Sequence, residues 1–346
     1  MKIVKRATFI VVSILGSIIL LFASSFAFLN LVKINVKKPT SPLSAGIRGV
    51  NWADERDNFV DGVIYVSGLT KNDSYDSAKV VGRQIIGQMF DETGANTVRL
   101  PINEATVSNY WSTYTGAIDA SLERGKVIFC YWPPKNGKPE DLKKYFSMWS
   151  TVIKKYGNNP NCYFEPVNEP YGYNTKDLSD LYNDWLTSFN VPKKNVILDG
   201  IGLAALYINP LGDDKRLDGT MLAVHCYAFY AGYVHINSLT ETGWSNILTI
   251  EMGKYSDRAI ITEWGAPMKS GLDYSVKQSK NDINYVRAMS KKINTIGAGS
   301  IYWPGLRDGD SYSLMEKKVT NKQINLKVTN QSGLEKLQES WGLPIH

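Results

Sequence analysis

The stretch Tyr163–Pro170, with the sequence YFEPVNEP, is an apolar run that ends in an asparagine and a glutamate. Pro170 follows them directly, and a proline cannot continue a regular strand ladder because it has no backbone N–H. A strand that ends in this way delivers the amide of Asn168 and the carboxylate of Glu169 at its exit. We therefore expect a functional site at the end of this strand.

A second apolar run, Ala259–Gly265, has the sequence AIITEWG and also leads to a glutamate, Glu263. Glycoside hydrolysis uses two carboxyl groups, one that protonates the leaving oxygen and one that attacks or stabilises the sugar. The two strand-terminal glutamates, Glu169 and Glu263, therefore predict a catalytic pair. The alternative is that both are solvated residues at strand ends and share no function.

From residue 46 onwards, short apolar runs alternate with helical patterns. The runs are Ile47–Trp52, Asn96–Pro101, Lys126–Tyr131, Tyr163–Glu165, Asn195–Asp199, Met221–Tyr227, Ala259–Trp264 and Ser300–Trp303. Eight such strands that alternate with helices over about 300 residues predict an α/β fold of the (β/α)8 TIM-barrel class. A doubly wound open sheet is the alternative, but the glycine fingerprint of dinucleotide-binding sheets is absent after the first run. Catalytic residues of such barrels lie at the C-terminal ends of strands, where Asn168, Glu169 and Glu263 all occur.

The beginning of the chain combines basic residues with an apolar stretch. Residues Ala7–Val32 carry no charge, and basic residues lie on both sides of them. This pattern predicts a signal anchor or signal peptide over residues 1–32, a linker over 33–45 and a (β/α)8 glycoside hydrolase domain over 46–346. The length of the apolar stretch favours an uncleaved anchor, and Ser25–Ala27 offers a cleavage site as the alternative. In both cases we expect the large domain outside the cytoplasm, on the extracellular face of the cell membrane or secreted.

The charge distribution argues against a nucleic-acid partner. The chain has 39 basic and 33 acidic residues, and its first 45 residues hold six of the basic ones and none of the acidic ones. The remainder is therefore balanced at 33 against 33. A neutral domain without a cluster of lysine and arginine has no electrostatic footprint for nucleic acid. We expect a monomer whose partners are an oligo- or polysaccharide substrate and, through the N-terminal segment, the membrane.

The cysteines and histidines predict no cofactor. Cys130, Cys162 and Cys226 lie in apolar runs without metal-ligand spacing, and an odd number cannot form a complete disulfide framework, so buried free thiols are expected. The chain holds only three histidines, which argues against a catalytic metal site.

Five separate motifs follow one another along the chain: Thr97–Pro101 (TVRLP), Asn168–Pro170 (NEP), His225–Tyr227 (HCY), Thr262–Gly265 (TEWG) and Tyr302–Pro304 (YWP). Together they resemble the cellulase-type glycoside hydrolases of family five, in clan A of the retaining (β/α)8 glycosidases. The resemblance covers almost all of residues 46–346. It implies that β-glycosidic bonds of a glucan- or mannan-type carbohydrate are cleaved by double displacement. It also implies Glu169 as acid/base, Glu263 as nucleophile, and a cis peptide bond between Trp303 and Pro304.

The residues around the pair have expected roles of their own. Arg99 is the cation that would keep Glu263 ionised, and a buried ion pair with Glu165 is the alternative. Tyr227 would donate a hydrogen bond to Glu263. Asn168 would hold the 2-hydroxyl of the sugar, a contact that strengthens in an oxocarbenium-like transition state.

Aromatic residues and one histidine complete the predicted substrate site. Trp303 would present its flat face to a sugar ring. His225 lies in an apolar run, where a satisfied core histidine is the alternative to a substrate contact. Trp52, Trp132 and Tyr230 follow strand ends and are candidates for sugar stacking, with loop packing as the alternative.

At one position the sequence departs from the family. A histidine is expected at the end of the third strand, where this chain has Cys130–Pro134 with the sequence CYWPP. An aromatic residue there would reshape the first sugar subsite, so the sequence does not name the sugar.

Two other functions stay open. An exo-β-glycosidase or a transglycosylase could use the same scaffold if the loops Ala53–Gly68 and Ala228–Gly243 blocked one end of the cleft. A catalytically inactive, membrane-tethered carbohydrate-binding protein is the other alternative. The presence of both glutamates and of Arg99 argues against it, because a protein that only binds has no use for the pair.

Overall fold

The computed structural model of the chain describes residues 42–56, 60–134, 137–204, 207–229 and 239–345. The predicted membrane segment, residues 1–32, lies outside these ranges, as does Tyr230. Within the ranges, no helix combines the length and the apolar character that a membrane span requires.

Eight parallel strands in the described residues form a barrel. They are β1 (Arg48–Trp52), β2 (Thr97–Ile102), β3 (Lys126–Tyr131), β4 (Cys162–Glu165), β5 (Ile197–Asp199), β6 (Met221–His225), β7 (Ala259–Trp264) and β8 (Ser300–Leu306). Neighbouring strands pair in the order β4-β3-β2-β1-β8-β7-β6-β5. A parallel bridge between Phe164 in β4 and Val196, which directly precedes β5, joins the two ends of this order. The predicted (β/α)8 barrel is therefore confirmed.

Helices alternate with these strands. Those in the described residues are α1 (Tyr75–Thr93), α2 (Glu104–Asn109), α3 (Trp111–Leu122), α4 (Leu142–Tyr156), α5 (Thr175–Ser188), α6 (Asn209–Gly212), α7 (Glu241–Met252), α8 (Asn281–Ile296) and α9 (Gln331–Ser340). Before α9, the strands β9 (Met315–Thr320) and β10 (Gln323–Val328) form an antiparallel hairpin. Residue Met315 of this hairpin pairs with the end of β8, so the hairpin extends the sheet at the rim of the barrel.

Helix α1 illustrates how the sequence sets the bounds of an element. The Ser74 hydroxyl accepts a hydrogen bond from the Ser77 N–H, and the Ser77 hydroxyl accepts one from the Ser74 N–H. This reciprocal capping box satisfies two backbone donors that the first turn would leave unpaired. Gly94, at a φ of 75°, ends the helix in the left-handed region that favours glycine.

The interior of the barrel changes from apolar to polar along the strands. Its apolar part consists of Ile47, Ile128, Ile197, Met221, Ala223, Ile260 and Ile301, with Tyr163 packed against them. Side chains two residues apart on a strand point to the same face. Two positions further along these strands lie Cys130, Glu165, Asp199, His225, Thr262 and Trp303. Apolar packing therefore fills the N-terminal part of the barrel, and a polar layer lies towards the C-terminal ends of the strands.

The barrel begins slightly before the boundary that the sequence predicts. Ser44 is fully buried, and its hydroxyl donates to the carbonyl of Ala259 at 2.6 Å and accepts the N–H of Gly299 at 2.9 Å. Ser44 thus ties the chain to β7 and to the entry of β8. It belongs to the barrel rather than to the predicted linker over 33–45.

Candidate active site

The two predicted glutamates face each other at the C-terminal end of the barrel. Glu169 lies four residues beyond the end of β4, and Glu263 lies in β7. One carboxylate oxygen of each, together with a ring nitrogen of His225, lie within 4.8 Å of one another. Both side chains are almost fully buried. The structure therefore brings together two carboxylates from distant parts of the sequence.

An irregularity in β7 aims Glu263 into the barrel. Along the β6–β7 pairing, Val224 lies opposite Ile261, but the next residue, His225, lies opposite Glu263. Two residues of β7, Thr262 and Glu263, thus oppose one residue of β6, which is the pattern of a β-bulge. Strict alternation would point these two neighbours to opposite faces, whereas here both side chains bond to groups of the polar layer.

Arg99 connects the carboxylates of this layer. Its Nε and Nη2 donate to the two oxygens of Glu165 at 2.7 and 2.5 Å, and its Nη1 donates to Glu263 Oε1 at 2.6 Å. Nη2 also donates to the Asn168 side-chain oxygen, and Nη1 to that of Asn51 at 2.9 Å. The two predicted alternatives for Arg99, contact with the nucleophile candidate and a buried ion pair with Glu165, therefore occur together.

Asn51 is a residue of the site that the sequence analysis missed. Its side-chain oxygen accepts from Arg99, and its Nδ2 donates to the carbonyls of Thr262 at 3.3 Å and Tyr302 at 3.1 Å. Asn51 thereby fixes the guanidinium against β7 and β8. A signal was present, since a polar residue interrupts the apolar run directly before Trp52.

Two opposing influences act on the ionisation of Glu263. Burial raises the pKa of Glu263, and the Glu169 carboxylate acts in the same direction. The Arg99 guanidinium opposes this by stabilising the ionised form. The hydroxyl of Tyr227 donates to Glu263 Oε2 at 2.9 Å, as predicted.

His225 contacts the carboxylate of Glu169 from within the barrel. Its Nδ1 lies 2.9 Å from Glu169 Oε1, and its Nε2 lies 3.0 Å from the Thr262 hydroxyl. Burial lowers the pKa of His225 to about 4, so the ring is neutral at neutral pH. A neutral ring with a carboxylate at Nδ1 carries its hydrogen there, and Nε2 then accepts from Thr262. His225 is fully buried and both of its ring nitrogens have partners within the barrel, which is the alternative of a satisfied core histidine. Its predicted substrate contact stays a prediction.

The tryptophans divide into two groups. Trp303 is partly exposed, its bond to Pro304 is cis as predicted, and its ring centroid lies 6.0 Å from that of Trp132. Trp132 also lines a cavity of about 390 Å³ beside the loops that follow β1, β2 and β3. Trp52, in contrast, is fully buried and donates its indole N–H to the Ser67 carbonyl at 2.8 Å. The predicted stacking role of Trp52 is therefore wrong, because no face of its ring is open to a sugar.

Two groups of carboxylates and histidine lie close enough to share a cation. They are Glu165, Asp199 and His225, and Glu169, His225 and Glu263. The Arg99 guanidinium already places a positive charge against the carboxylates of Glu165 and Glu263. A metal ion would have to compete with this buried ion pair.

The chain matches known proteins in sequence pattern and in fold. The model of the cellulase family, glycosyl hydrolase family 5, matches residues 68–304. The endo-β-1,4-glucanase of Xanthomonas axonopodis pv. citri is 11% identical, with a TM-score of 0.61 over 85% of this chain and 98% of that chain. Cel5A of Hypocrea jecorina is 15% identical, with a TM-score of 0.57 over 86% and 98%. XacCel5A with bound cellopentaose is 10% identical, with a TM-score of 0.55 over 75% and 90%. At these identities the similar structures support the barrel fold.

The buried ion pairs of Arg99 generate a prediction about stability. Arg99→Met should lower the free energy of unfolding by about 3–5 kcal/mol at neutral pH, because Glu165 and Glu263 then lie buried without their cation. The deficit should shrink as the pH falls, since both carboxylates can then become neutral. Denaturant unfolding at several pH values measures both effects.

The matched control is Arg83→Met, which removes an arginine whose pair with Glu123 lies on the surface. This variant should lose about 0–1 kcal/mol. Two outcomes would contradict the buried ion pairs of Arg99: an equal loss of unfolding free energy in both variants, or a loss in Arg99→Met that does not change with pH.

Proposed function

The chain belongs to the cellulase family, glycosyl hydrolase family 5, and on this premise we propose that it cleaves β-glycosidic bonds of a glucan- or mannan-type polysaccharide with retention of configuration. The observation that carries the proposal is the approach of Glu169 and Glu263, whose nearest oxygens lie within 4.8 Å. Carboxyl groups of retaining enzymes lie about 5–5.5 Å apart, and those of inverting enzymes about 6.5–9.5 Å. The short separation supports direct attack by one carboxylate, because it leaves little room for a water between them.

In the first step, Glu263 attacks the anomeric carbon while Glu169 gives its proton to the leaving oxygen. The bond from carbon to the Glu263 oxygen forms as the glycosidic bond breaks, and the leaving sugar departs as an alcohol. Arg99 and Tyr227 each hold one oxygen of Glu263, which fixes the direction of attack.

In the second step, water releases the sugar from Glu263. Glu169, now ionised, takes a proton from the water, whose oxygen attacks the anomeric carbon and displaces the carboxylate. His225 contacts Glu169 Oε1 during both steps, which fixes the orientation of the carboxyl group. Each of the two steps inverts the configuration of the anomeric carbon, so the product has the same configuration as the substrate.

The polar groups nearest the pair supply contacts to the sugar. The side-chain oxygen of Asn168 accepts from Arg99, so its amide nitrogen is the group that can donate to a 2-hydroxyl. Trp303 is partly exposed and offers aromatic surface for the ring, and the buried Trp132 lies beside it. Trp132 lies near the position where a histidine is expected in the family, which makes the first sugar subsite more apolar.

A glucan is the substrate class that the similar proteins favour, since one is named an endo-β-1,4-glucanase and another has cellopentaose bound. A panel of β-glucans, mannans and aryl glycosides tests this class. The lengths of the products separate internal cleavage from release of single sugars at a chain end, and added acceptor sugars reveal transglycosylation. If the chain binds a polymer and hydrolyses none, the proposed function is wrong.

The two glutamates should respond differently to substitution. Glu263→Ala should abolish turnover of every substrate, because no covalent intermediate can form. Glu169→Ala should lose about 10²–10⁴-fold on substrates with poor leaving groups and much less on activated aryl glycosides. Added azide should restore part of the Glu169→Ala activity. Azide can attack in place of water in the second step, and it needs no general base. The matched control for both substitutions is Glu92→Gln, which replaces an exposed glutamate on α1 and should leave the rates unchanged.

Proton NMR of the first product identifies the stereochemistry. The β-anomer should appear before mutarotation. First appearance of the α-anomer, or equal losses for both glutamates on all substrates, would overturn the pair.

We also propose that residues 1–32 attach the chain to a membrane, with the barrel on its outer side. The support is the uncharged stretch Ala7–Val32 between basic flanks. A chain that begins at Pro42 should stay soluble and keep full activity, whereas the full chain should sediment with membranes. Mass determination of the full chain's N-terminus decides between anchor and cleaved signal. A folded but inactive shortened chain would contradict the assignment, as would a full chain that keeps this segment and stays in the soluble fraction.

A further inference from the structure

Asp199 lies at the end of β5, directly behind the backbone of Glu169. It is fully buried, and its Oδ2 accepts the Glu169 N–H at 2.9 Å. Its backbone carbonyl accepts the hydroxyl of Tyr182, on α5, at 2.9 Å. The sequence analysis assigns Asp199 no role beyond the end of a strand.

The backbone that Asp199 holds is in an unfavourable conformation. Glu169 has a φ of 47°, in the left-handed region, where a side chain beyond glycine crowds the backbone. Such a residue persists only where its surroundings fix it. The direction of the Glu169 side chain depends on this backbone, and so the hydrogen bond from Asp199 bears on where the carboxylate points.

The charges around Asp199 favour its neutral form. Arg99 is the cation that contacts the carboxylates of this layer in the described residues, and it already faces Glu165 and Glu263. A third ionised carboxylate would have no cation of its own. Burial raises the pKa of Asp199 well above its usual range, and the adjacent carboxylate of Glu165 acts in the same direction.

The second oxygen of Asp199, Oδ1, gives independent support for the neutral form of this side chain. In the described residues Oδ1 is buried and has no hydrogen-bond partner if the group is ionised. A carboxyl oxygen of Asp199 and one of Glu165 lie within 4.8 Å of each other, so the two buried carboxyl groups are direct neighbours. A proton on Oδ1 would give this orphaned atom its partner. Glu165 can accept it, because a carboxylate oxygen accepts two hydrogen bonds and each here has one from Arg99.

We propose that Asp199 is a neutral carboxylic acid that positions the general acid, accepting the Glu169 N–H at Oδ2 and donating from Oδ1 to Glu165. This inference rests on the proposed function, in which Glu169 is the acid/base. Only the protonated form can accept on one side and donate on the other. The result is a continuous chain of hydrogen bonds from Arg99 through Glu165 and Asp199 to the backbone of Glu169.

The titratable and charged groups that face Asp199 belong to several elements. They are Arg99 on β2, Cys130 on β3, Glu165 on β4, Glu169 in the loop after β4, Tyr182 on α5 and His225 on β6. The His225 Nε2 lies 3.7 Å from Asp199 Oδ2, and this ring is neutral at neutral pH. None of these neighbours except Arg99 supplies a positive charge at neutral pH.

The first test compares Asp199→Asn with Asp199→Ala. Asparagine reproduces the neutral acid, since its oxygen can accept the Glu169 N–H and its amide can donate to Glu165. Asp199→Asn should therefore keep kcat within a few fold of the wild type, and Asp199→Ala should lower it about 10²-fold, the cost of a misplaced catalytic group. KM should change little in both variants.

The leaving group separates positioning of Glu169 from general damage. On an activated aryl glycoside, which needs little proton donation, Asp199→Ala should lose far less activity than on an unactivated substrate. If Asp199→Asn lost as much activity as Asp199→Ala, the proposal would be overturned. Equal losses of activity for Asp199→Ala on the activated and the unactivated substrate would also overturn it.

The second test needs no activity and no alanine variant. In the unfolded chain an aspartate ionises above a pH of about 4, whereas Asp199 keeps its proton when folded. The wild type therefore loses stability relative to Asp199→Asn as the pH rises from about 4 to 7. The denaturation midpoint of Asp199→Asn should rise against that of the wild type over this range. Asp184→Asn, at an exposed position on α5, is the matched control and should show no such trend.

The opposite trend, with Asp199→Asn losing stability relative to the wild type as the pH rises, would mean that Asp199 is ionised and would overturn the proposal. A constant difference would do the same. If the wild type hydrolyses no glycoside, the proposed function fails, and the pH dependence of unfolding still decides whether Asp199 carries a proton. If the wild type is active and the pH trend is absent, only the inference about Asp199 fails.

Discussion

The structure depends on one buried guanidinium among carboxylates. Arg99 contacts Glu165 and Glu263 at hydrogen-bond distance while almost fully shielded from water. Buried charges are costly unless they are paired, so the positions of these three side chains constrain one another. Asn51 holds the guanidinium from a fourth strand, β1. The nucleophile candidate is therefore fixed by groups that cannot move independently of it.

The barrel makes this arrangement possible by separating its interior into two layers. Apolar side chains fill the N-terminal part, and the period of two along each strand brings polar residues to the next inward positions. The bulge in β7 then adds Glu263 to a face where regular alternation would not place it. A carboxylate pair in such a layer is almost fully shielded from water and lies at the strand ends, where the proposed substrate would meet it.

The parts of the fold and site that the sequence predicts are those with a local signature. Eight apolar runs predict the strands, and a glutamate at the end of a run predicts the site, because both depend on a few neighbouring residues. Asn51 and Asp199 had no such signature, since their roles arise from partners on other strands and from the backbone conformation of Glu169. Trp52 was misplaced because an aromatic residue at a strand end can pack under its own loop as well as line a cleft. His225 satisfies both of its ring nitrogens within the barrel, which apolar flanks alone do not reveal.

The central claim is that Glu263 forms a covalent bond to the sugar. A 2-deoxy-2-fluoro glycoside with an activated leaving group slows the second step more than the first, so the glycosyl-enzyme accumulates. Mass spectrometry of peptides from the inactivated protein then locates the sugar. We predict one sugar on Glu263, released with recovery of activity when an acceptor is added. A sugar on another residue would contradict the account. So would an unlabelled protein that hydrolyses the parent glycoside with inversion.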